Sequence, residues 1–214
     1  MTKAKQEMMC ANYKILMEEI KARMRCIKLL VDGKTGLPHA AVQEFGFLQL
    51  RMICEVIALS CLTAHGDLKE VQQKSLQKTY DATIIIKKLG SLHPDFYPRP
   101  TIIKDIAPGR KRLEGIKDGF LTKADLKTLY GRCGDLLHRG SVKKLWKGPN
   151  DWPTDNSELD SWAKKIARLM GVHFIGHLGG KTRLIAILSV GGGGVEVSFA
   201  GPPTQTALAN SKPI

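Results

Sequence analysis

The sequence predicts a mainly α protein with a small antiparallel sheet towards its C-terminal end, α+β overall. Through most of the first 170 residues, apolar side chains recur every three or four positions, which is the period of amphipathic helices. Beyond residue 171 the period falls to two, and glycine-rich segments separate three short β-prone stretches. We therefore expect a four- to five-helix bundle followed by a three-stranded antiparallel β-meander.

Four of the predicted helices follow from this periodicity alone. The second of them is apolar nearly all round, so we expect it at the centre of the bundle. The four helices span about residues 3–31, 40–64, 68–89 and 157–170. The strands of the meander are predicted over Val172–Leu178, Thr182–Ser189 and Val195–Ala200.

A fifth helix is predicted from its end signals. Thr122 and Asp125 are typical of a capping pair that begins a helix, and Gly140 is typical of a helix end. The proline-rich segment 93–101 before it cannot be helical, because each proline removes a backbone donor. With the basic connector 108–113, this segment predicts an extended crossing that leads into the helix.

These elements divide the chain into three parts. We expect residues 1–140 to form the helical bundle. Residues 141–200 should add a basic loop with two tryptophans, the helix over 157–170 and the β-meander, packed on the bundle. Residues 201–214 are expected to be a flexible tail.

The charge of the chain indicates a polyanionic partner. The sequence holds 33 lysines and arginines against 20 aspartates and glutamates, which gives a formal net charge of +13. Because each neutralised phosphate releases counterions, nucleic acid is the first partner to consider. The five cysteines are odd in number and lack Cys-x-x-Cys spacing, which favours reduced thiols in the cytoplasm. We predict neither secretion nor membrane insertion.

The helix that begins at Thr122 carries the strongest functional candidates, Arg132 and His138. Six residues separate them, which is about 600°, or an effective 120° of rotation, on a helix. They would therefore flank one edge of the helix, where a cation and an imidazole could frame half of an active site. The alternative is an ordinary solvated face with a satisfied histidine.

A second polar feature lies in the predicted central helix, where Glu44, Arg51 and Glu55 form one stripe. Buried charges are costly unless they are paired, so Arg51 and Glu55 either pair with each other or face the Arg132/His138 helix. In the second case Glu55 could orient His138, and Arg51 could add positive charge to a phosphate site. Tyr130 and Asp135, on the motif helix itself, are further supporting candidates.

We predict neither a metal nor another cofactor. His173 and His177 share one face of a predicted strand, but no third ligand is evident. The run Gly191–Gly194 lacks the Lys-Ser/Thr and the following helix of a phosphate loop, so it is interpreted as a hairpin turn.

The helical part resembles the HEPN (higher eukaryotes and prokaryotes nucleotide-binding) domains. The matching motif is Arg132-Cys-Gly-Asp-Leu-Leu-His138, since that family places four to six residues between its Arg and its His. The resemblance covers about residues 1–140. It implies a homodimer in which two such motifs face each other and cleave RNA without a metal.

In that chemistry His138 would be the general acid or base at a ribose 2′-hydroxyl or the leaving oxygen. Arg132 would stabilise the charge of the transition state. The substrate would run along basic residues, with the indole of Trp146 stacked on an unpaired base. Alternatively, these residues form an ordinary solvated basic loop. They are Arg110, Lys111, Arg112, Arg139, Lys143, Lys144, Trp146 and Lys147.

Two functions are therefore expected from the sequence. The first is a nucleic-acid-directed protein, specifically a metal-independent ribonuclease of a bacterial or phage defence or counter-defence system, with RNA favoured over DNA. The second is a non-catalytic basic protein that binds nucleic acid or a ribonucleoprotein partner. A nucleotide-sensing partner of a nucleotidyltransferase is suggested only by the family resemblance.

Overall fold

The computed structural model describes residues 2–73, 76, 78–107, 110–137, 155–176, 182–188 and 193–201, with backbone only at Arg110 and Lys111. Within these residues the fold has five helices and one five-stranded sheet. The helices are α1 Lys3–Val31, α2 His39–Ala64, α3 Ala82–Leu92, α4 Lys123–Leu137 and α5 Ser157–Met170. The strands are β1 Arg99–Ala107, β2 Arg110–Gly115, β3 Val172–Gly176, β4 Arg183–Leu188 and β5 Val195–Ala200.

Helix α2 is the centre of the core, as its composition predicts. It contacts α1, α3, α4 and α5. The approach to α5 is especially close, because a Cβ at Gly46 would lie 2.6 Å from a terminal carbon of the buried Leu159. By length and composition α2 is the one helix of the described residues that could cross a membrane, but 67% of its most apolar window is buried inside the protein, as in a core helix.

The sheet has the strand order β2-β1-β3-β4-β5, and every described pair is antiparallel. Strands β3, β4 and β5 form the predicted meander, which packs against α1 and α5. Leu184, Ala186 and Leu188 are the buried residues of β4, in keeping with the period of two in its sequence.

The prediction of three strands was too low, because β1 and β2 form a hairpin in the segment predicted as an extended crossing. The β-branched run Thr101-Ile-Ile103 was the signal that the proline-based interpretation overlooked. Only Arg99 and Pro100, at the beginning of β1, pair with β3. The rest of the hairpin therefore extends away from the body of the sheet.

The third predicted helix was placed too early. Residues 68–73 form turns, and α3 begins at Ala82 rather than near residue 68. Its N-cap is Asp81, whose carboxylate accepts hydrogen bonds from the backbone N–H groups of Thr83 and Ile84. This cap is a local start signal that the apolar period obscured.

His173 joins the sheet to α1 through a buried hydrogen-bonded chain. Its Nδ1 lies 3.0 Å from the carbonyl oxygen of Met170, so Nδ1 carries the proton and donates to that carbonyl. Its Nε2 then accepts a hydrogen bond from the hydroxyl of Tyr13, at 2.7 Å. Burial lowers the pKa of His173 to about 4.

We predict that this histidine makes the fold sensitive to acid. Because the pKa of His173 is lower in the folded protein than its ordinary value of 6.5, its contribution is fully present above about pH 6.5 and is lost as the pH falls towards 4. The loss should approach roughly 3 kcal/mol. In urea unfolding, the free energy of unfolding should be higher for the parent than for His173→Gln, and this difference should shrink as the pH falls across this range. A difference that does not change with pH would contradict a lowered pKa at His173.

Candidate functional site on helix α4

Helix α4 begins with the predicted capping pair. The backbone N–H of Asp125 donates to Oγ1 of Thr122, and the backbone N–H of Thr122 donates to Oδ2 of Asp125, both at 3.0 Å. Lys165 of α5 adds an ion pair of 2.9 Å with Oδ1 of Asp125. The described part of α4 ends at Leu137, so the predicted stop at Gly140 and the catalytic candidate His138 lie outside the described residues.

Arg132 is bound to α5 by two hydrogen bonds. Its Nε and Nη2 donate to Oε1 and Oε2 of Glu158, at 3.1 and 3.0 Å. The guanidinium also lies over the ring of Phe47, 5.9 Å from its centroid. Glu158 lies in the first turn of α5, where the helix dipole favours a negative charge. This geometry gives Arg132 a structural role that joins three helices, whatever else it does.

Arg51 and Glu55 fulfil both alternatives that the sequence left open. They pair with each other, with Nε of Arg51 3.3 Å from Oε1 of Glu55, and they face α4. Tyr130 of α4 completes the cluster, because its hydroxyl donates to Glu55 and accepts from Nη2 of Arg51, each at 3.1 Å. The Arg51 guanidinium lies 4.6 Å from the centroid of the Tyr130 ring. Burial and the charge of Glu55 raise the pKa of Tyr130 to about 12, so its hydroxyl keeps its proton.

The other polar candidates have exposed side chains. Glu44 and Asp135 are both exposed, on α2 and α4 respectively. Inside the motif, Cys133 is buried, and burial raises the pKa of its thiol to about 12, which keeps it protonated and suits it to packing. Gly134 faces the cluster, because a Cβ there would lie 3.6 Å from Nη1 of Arg51.

Helix α4 is thus held on two sides. Tyr130 and Arg132 are two residues apart, about 200° of helix rotation, so the Arg51 cluster and the Glu158 pair lie on different sides. The edge predicted to be shared by Arg132 and His138 stays a prediction, because His138 lies outside the described residues. The cation next to Gly134 is Arg51, whereas the guanidinium of Arg132 is hydrogen-bonded to Glu158 of α5.

The predicted nucleic-acid track is described only in part. Arg110, Lys111 and Arg112 lie on β2, and the side chain of Arg112 is exposed. In the register of the hairpin, Arg112 is opposite Lys104, whose Nζ pairs with Glu114 at 2.5 Å. The remaining members fall outside the described residues: Arg139, Lys143, Lys144, Trp146 and Lys147.

Among the described residues, no group of three or more His, Cys, Asp or Glu side chains could hold a metal ion. Both ring nitrogens of His173 are used in the hydrogen-bonded chain described above, and His177 lies outside the described residues. Comparisons with protein-family models, with curated proteins and with solved structures found no match to this chain. The resemblance to HEPN domains therefore depends on the motif residues themselves.

We predict that Arg132 and Glu158 stabilise the fold as a pair. Arg132→Gln and Glu158→Gln should each lower the free energy of unfolding by about 1 kcal/mol, as expected for a half-exposed bidentate pair. The double variant should lose less than the sum of the two, because either substitution alone already breaks the interaction. Strict additivity in urea unfolding would show that the two side chains contribute independently.

Proposed function

We propose that this protein binds nucleic acid, with RNA as the first candidate, and that the hairpin β1–β2 is its main binding element. The observation that carries the proposal is a two-stranded arm exposed to solvent and rich in cations. From Lys104 to Ala107, and at Arg112, the described side chains of the arm are exposed. The arm also carries Arg110–Arg112, the only run of three consecutive cationic residues in the sequence.

The face of the arm that points to solvent combines positive charge with apolar surface. Because side chains alternate along a strand, Ile102 and Lys104 share one face of β1, and Arg112 lies on the same face through its register with Lys104. Glu114, opposite Ile102, pairs with Lys104 on this face, and Ile106 lies at the irregularity where the register shifts. Ile106 is 54% exposed and Ile102 is 43% exposed. Cations on such a ribbon neutralise phosphates, and exposed apolar side chains can pack against unstacked bases. A solvated edge strand, with its cations preventing aggregation, is the competing interpretation.

Metal-independent RNA cleavage is the second candidate function. It is supported by the Arg51 cluster, which brings a guanidinium next to Gly134, four residues before His138 in the sequence. In this function His138 is the general acid or base at the ribose 2′-hydroxyl or the leaving oxygen. Arg51 is a second candidate, beside Arg132, for stabilising the charge of the transition state.

The homodimer implied by the HEPN resemblance stays a prediction, as does a bacterial or phage defence setting. A central helix that is apolar nearly all round is a separate reason to expect a dimer, because we expect a single chain of this size to leave part of it uncovered. Four helices of the same chain contact α2, yet Phe45, Leu48 and Leu59 of this helix are still 40%, 41% and 42% exposed, so an apolar strip of α2 remains for a partner copy to cover.

Binding by the hairpin predicts a specific loss. In the triple variant Arg110→Gln, Lys111→Gln and Arg112→Gln, affinity for a single-stranded RNA oligonucleotide should fall, and the salt slope of log K should flatten by roughly 2, at about 0.7 per lost phosphate contact. A control with three exposed lysines replaced, Lys5→Gln, Lys14→Gln and Lys69→Gln, removes the same charge from other surfaces and should change the slope less. Equal effects of the two triple variants would assign binding to net charge alone.

Cleavage is tested by His138→Ala in buffer that contains a chelator. The variant should lose RNA cleavage while its melting temperature and its RNA affinity stay near those of the parent, because only the proton transfer is removed. Gel analysis of a labelled RNA provides the measurement. If the parent cleaves no RNA, the second candidate is rejected.

A further inference from the structure

A cleft of about 520 Å³ lies at the base of the hairpin arm. Its walls come from the base of β1 and β2, from β3 and β4, and from the first residue of α4. The side chains that decide its chemistry are Arg99, Lys123, Arg183, Phe120, Phe174 and Asp95. Its volume is in the range of small-molecule sites in proteins.

Strand pairing fixes two guanidinium groups over one aromatic ring in this cleft. Arg99 is opposite Phe174 in the register of β1 and β3, and Arg183 is its diagonal neighbour on β4. Consequently the Cζ atoms of Arg99 and Arg183 lie 6.0 and 4.9 Å from the centroid of the Phe174 ring. Because these contacts follow from the sheet itself, the arrangement is built into the fold.

The cleft also has an excess of positive charge. Asp95 pairs with Arg99. Among the described residues, neither Arg183 nor Lys123 forms an ion pair with a carboxylate. Lys123 instead lies with Nζ 5.4 Å from the centroid of the Phe96 ring. Two cations are therefore available to an anionic ligand.

The other polar groups of the cleft wall are already satisfied. The hydroxyl of Tyr97 donates to the carbonyl oxygen of Leu121 at 3.0 Å, and the hydroxyl of Thr101 donates to the carbonyl of Val172 at 3.4 Å. What remains for a ligand is the pair of cations, Arg183 and Lys123, and the partly exposed rings of Phe120 and Phe174. This combination suits a planar group that carries a phosphate, because guanidinium groups bind phosphate and bases stack on aromatic and guanidinium planes.

We propose that this cleft binds one nucleotide unit of single-stranded RNA, with the phosphate held by Arg183 and Lys123 and the base stacked against Phe174. The inference rests on the proposed nucleic-acid binding and adds a second, shape-specific contact to the electrostatic arm. Leu113 and Gly115 of β2 line the cleft, so a strand bound along the arm leads into it. An acidic peptide would use the cations but would leave the stacking surface unused.

The test measures binding of a fluorescent twelve-nucleotide oligouridylate RNA to full-length variants. Phe174→Leu removes the stacking ring without a change of charge and should weaken binding about 5- to 100-fold at an unchanged salt slope. Arg183→Gln should weaken binding and flatten the slope by about 0.7. Arg183→Lys should restore the slope but not the full affinity, because the lysine lacks the guanidinium plane.

The controls keep folding separate from binding. Phe174→Tyr retains the ring and should bind like the parent, and Arg25→Gln removes one exposed arginine of α1 and should bind nearly like the parent. Melting temperatures identify a variant that fails to fold. If Phe174→Leu fails to fold, RNA binding by Arg183→Gln, a substitution at an exposed position, tests the cleft proposal. Photocrosslinking of 5-bromouridine RNA should label peptides that contain Phe174 or Tyr97.

The possible failures are distinguishable. If the parent binds RNA and the Arg110–Arg112 variant weakens binding, while Phe174→Leu and Arg183→Gln behave like Arg25→Gln, the cleft proposal is overturned and the proposed function stands. If the parent binds no RNA at low salt, both are overturned. If free uridine monophosphate binds as tightly as the oligonucleotide, the cleft is a mononucleotide site and the strand assignment is rejected.

Discussion

The need to cover helix α2 determines most of this structure. A 26-residue helix with so few polar positions has to bury most of its surface, and α1, α3, α4 and α5 all contact it, although Phe45, Leu48 and Leu59 stay exposed. The two charged residues in its middle, Arg51 and Glu55, are tolerated because they pair with each other and with the hydroxyl of Tyr130. That polar cluster fixes which side of α4 faces the core.

The sheet is arranged by the same constraint. Its meander packs on α1 and α5, on the side of the bundle that these two helices provide, and His173 with Tyr13 joins the two layers. Strand β1 reaches this sheet only at Arg99 and Pro100, so the hairpin stays outside the core. Exposure of the arm is therefore a consequence of the topology, and its cations and isoleucines meet solvent together.

Local signals made much of the fold predictable from sequence. The range of α5, Ser157–Met170, and the capping pair of α4 follow from periodicity and from side chains three residues apart. The hairpin was missed because the prolines were taken to indicate an extended crossing without strand pairing, although Pro100 lies at the margin of the sheet, where β1 begins, and a proline is tolerated there. The Arg132 contact could not be predicted, because Glu158 is 26 residues away and only packing of α4 on α5 brings it near. For Arg51 and Glu55 the sequence left two alternatives, a mutual ion pair or a position facing α4. In the structure the two residues pair with each other and also face α4.

The Glu158 pair also constrains any catalytic use of Arg132. A phosphate that approached Arg132 would have to replace a carboxylate held by two hydrogen bonds, and the displaced Glu158 would repel it. In cleavage, therefore, Arg132 would either exchange partners during the reaction or act through the position of α4. Arg51 is also paired with a carboxylate, because its Nε lies 3.3 Å from Oε1 of Glu55, but its Nη1 lies 3.6 Å from the position of a Cβ at Gly134. A phosphate at the end of α4 would then have Arg51, on the second side of the helix, as a source of positive charge beside the arginine of the motif.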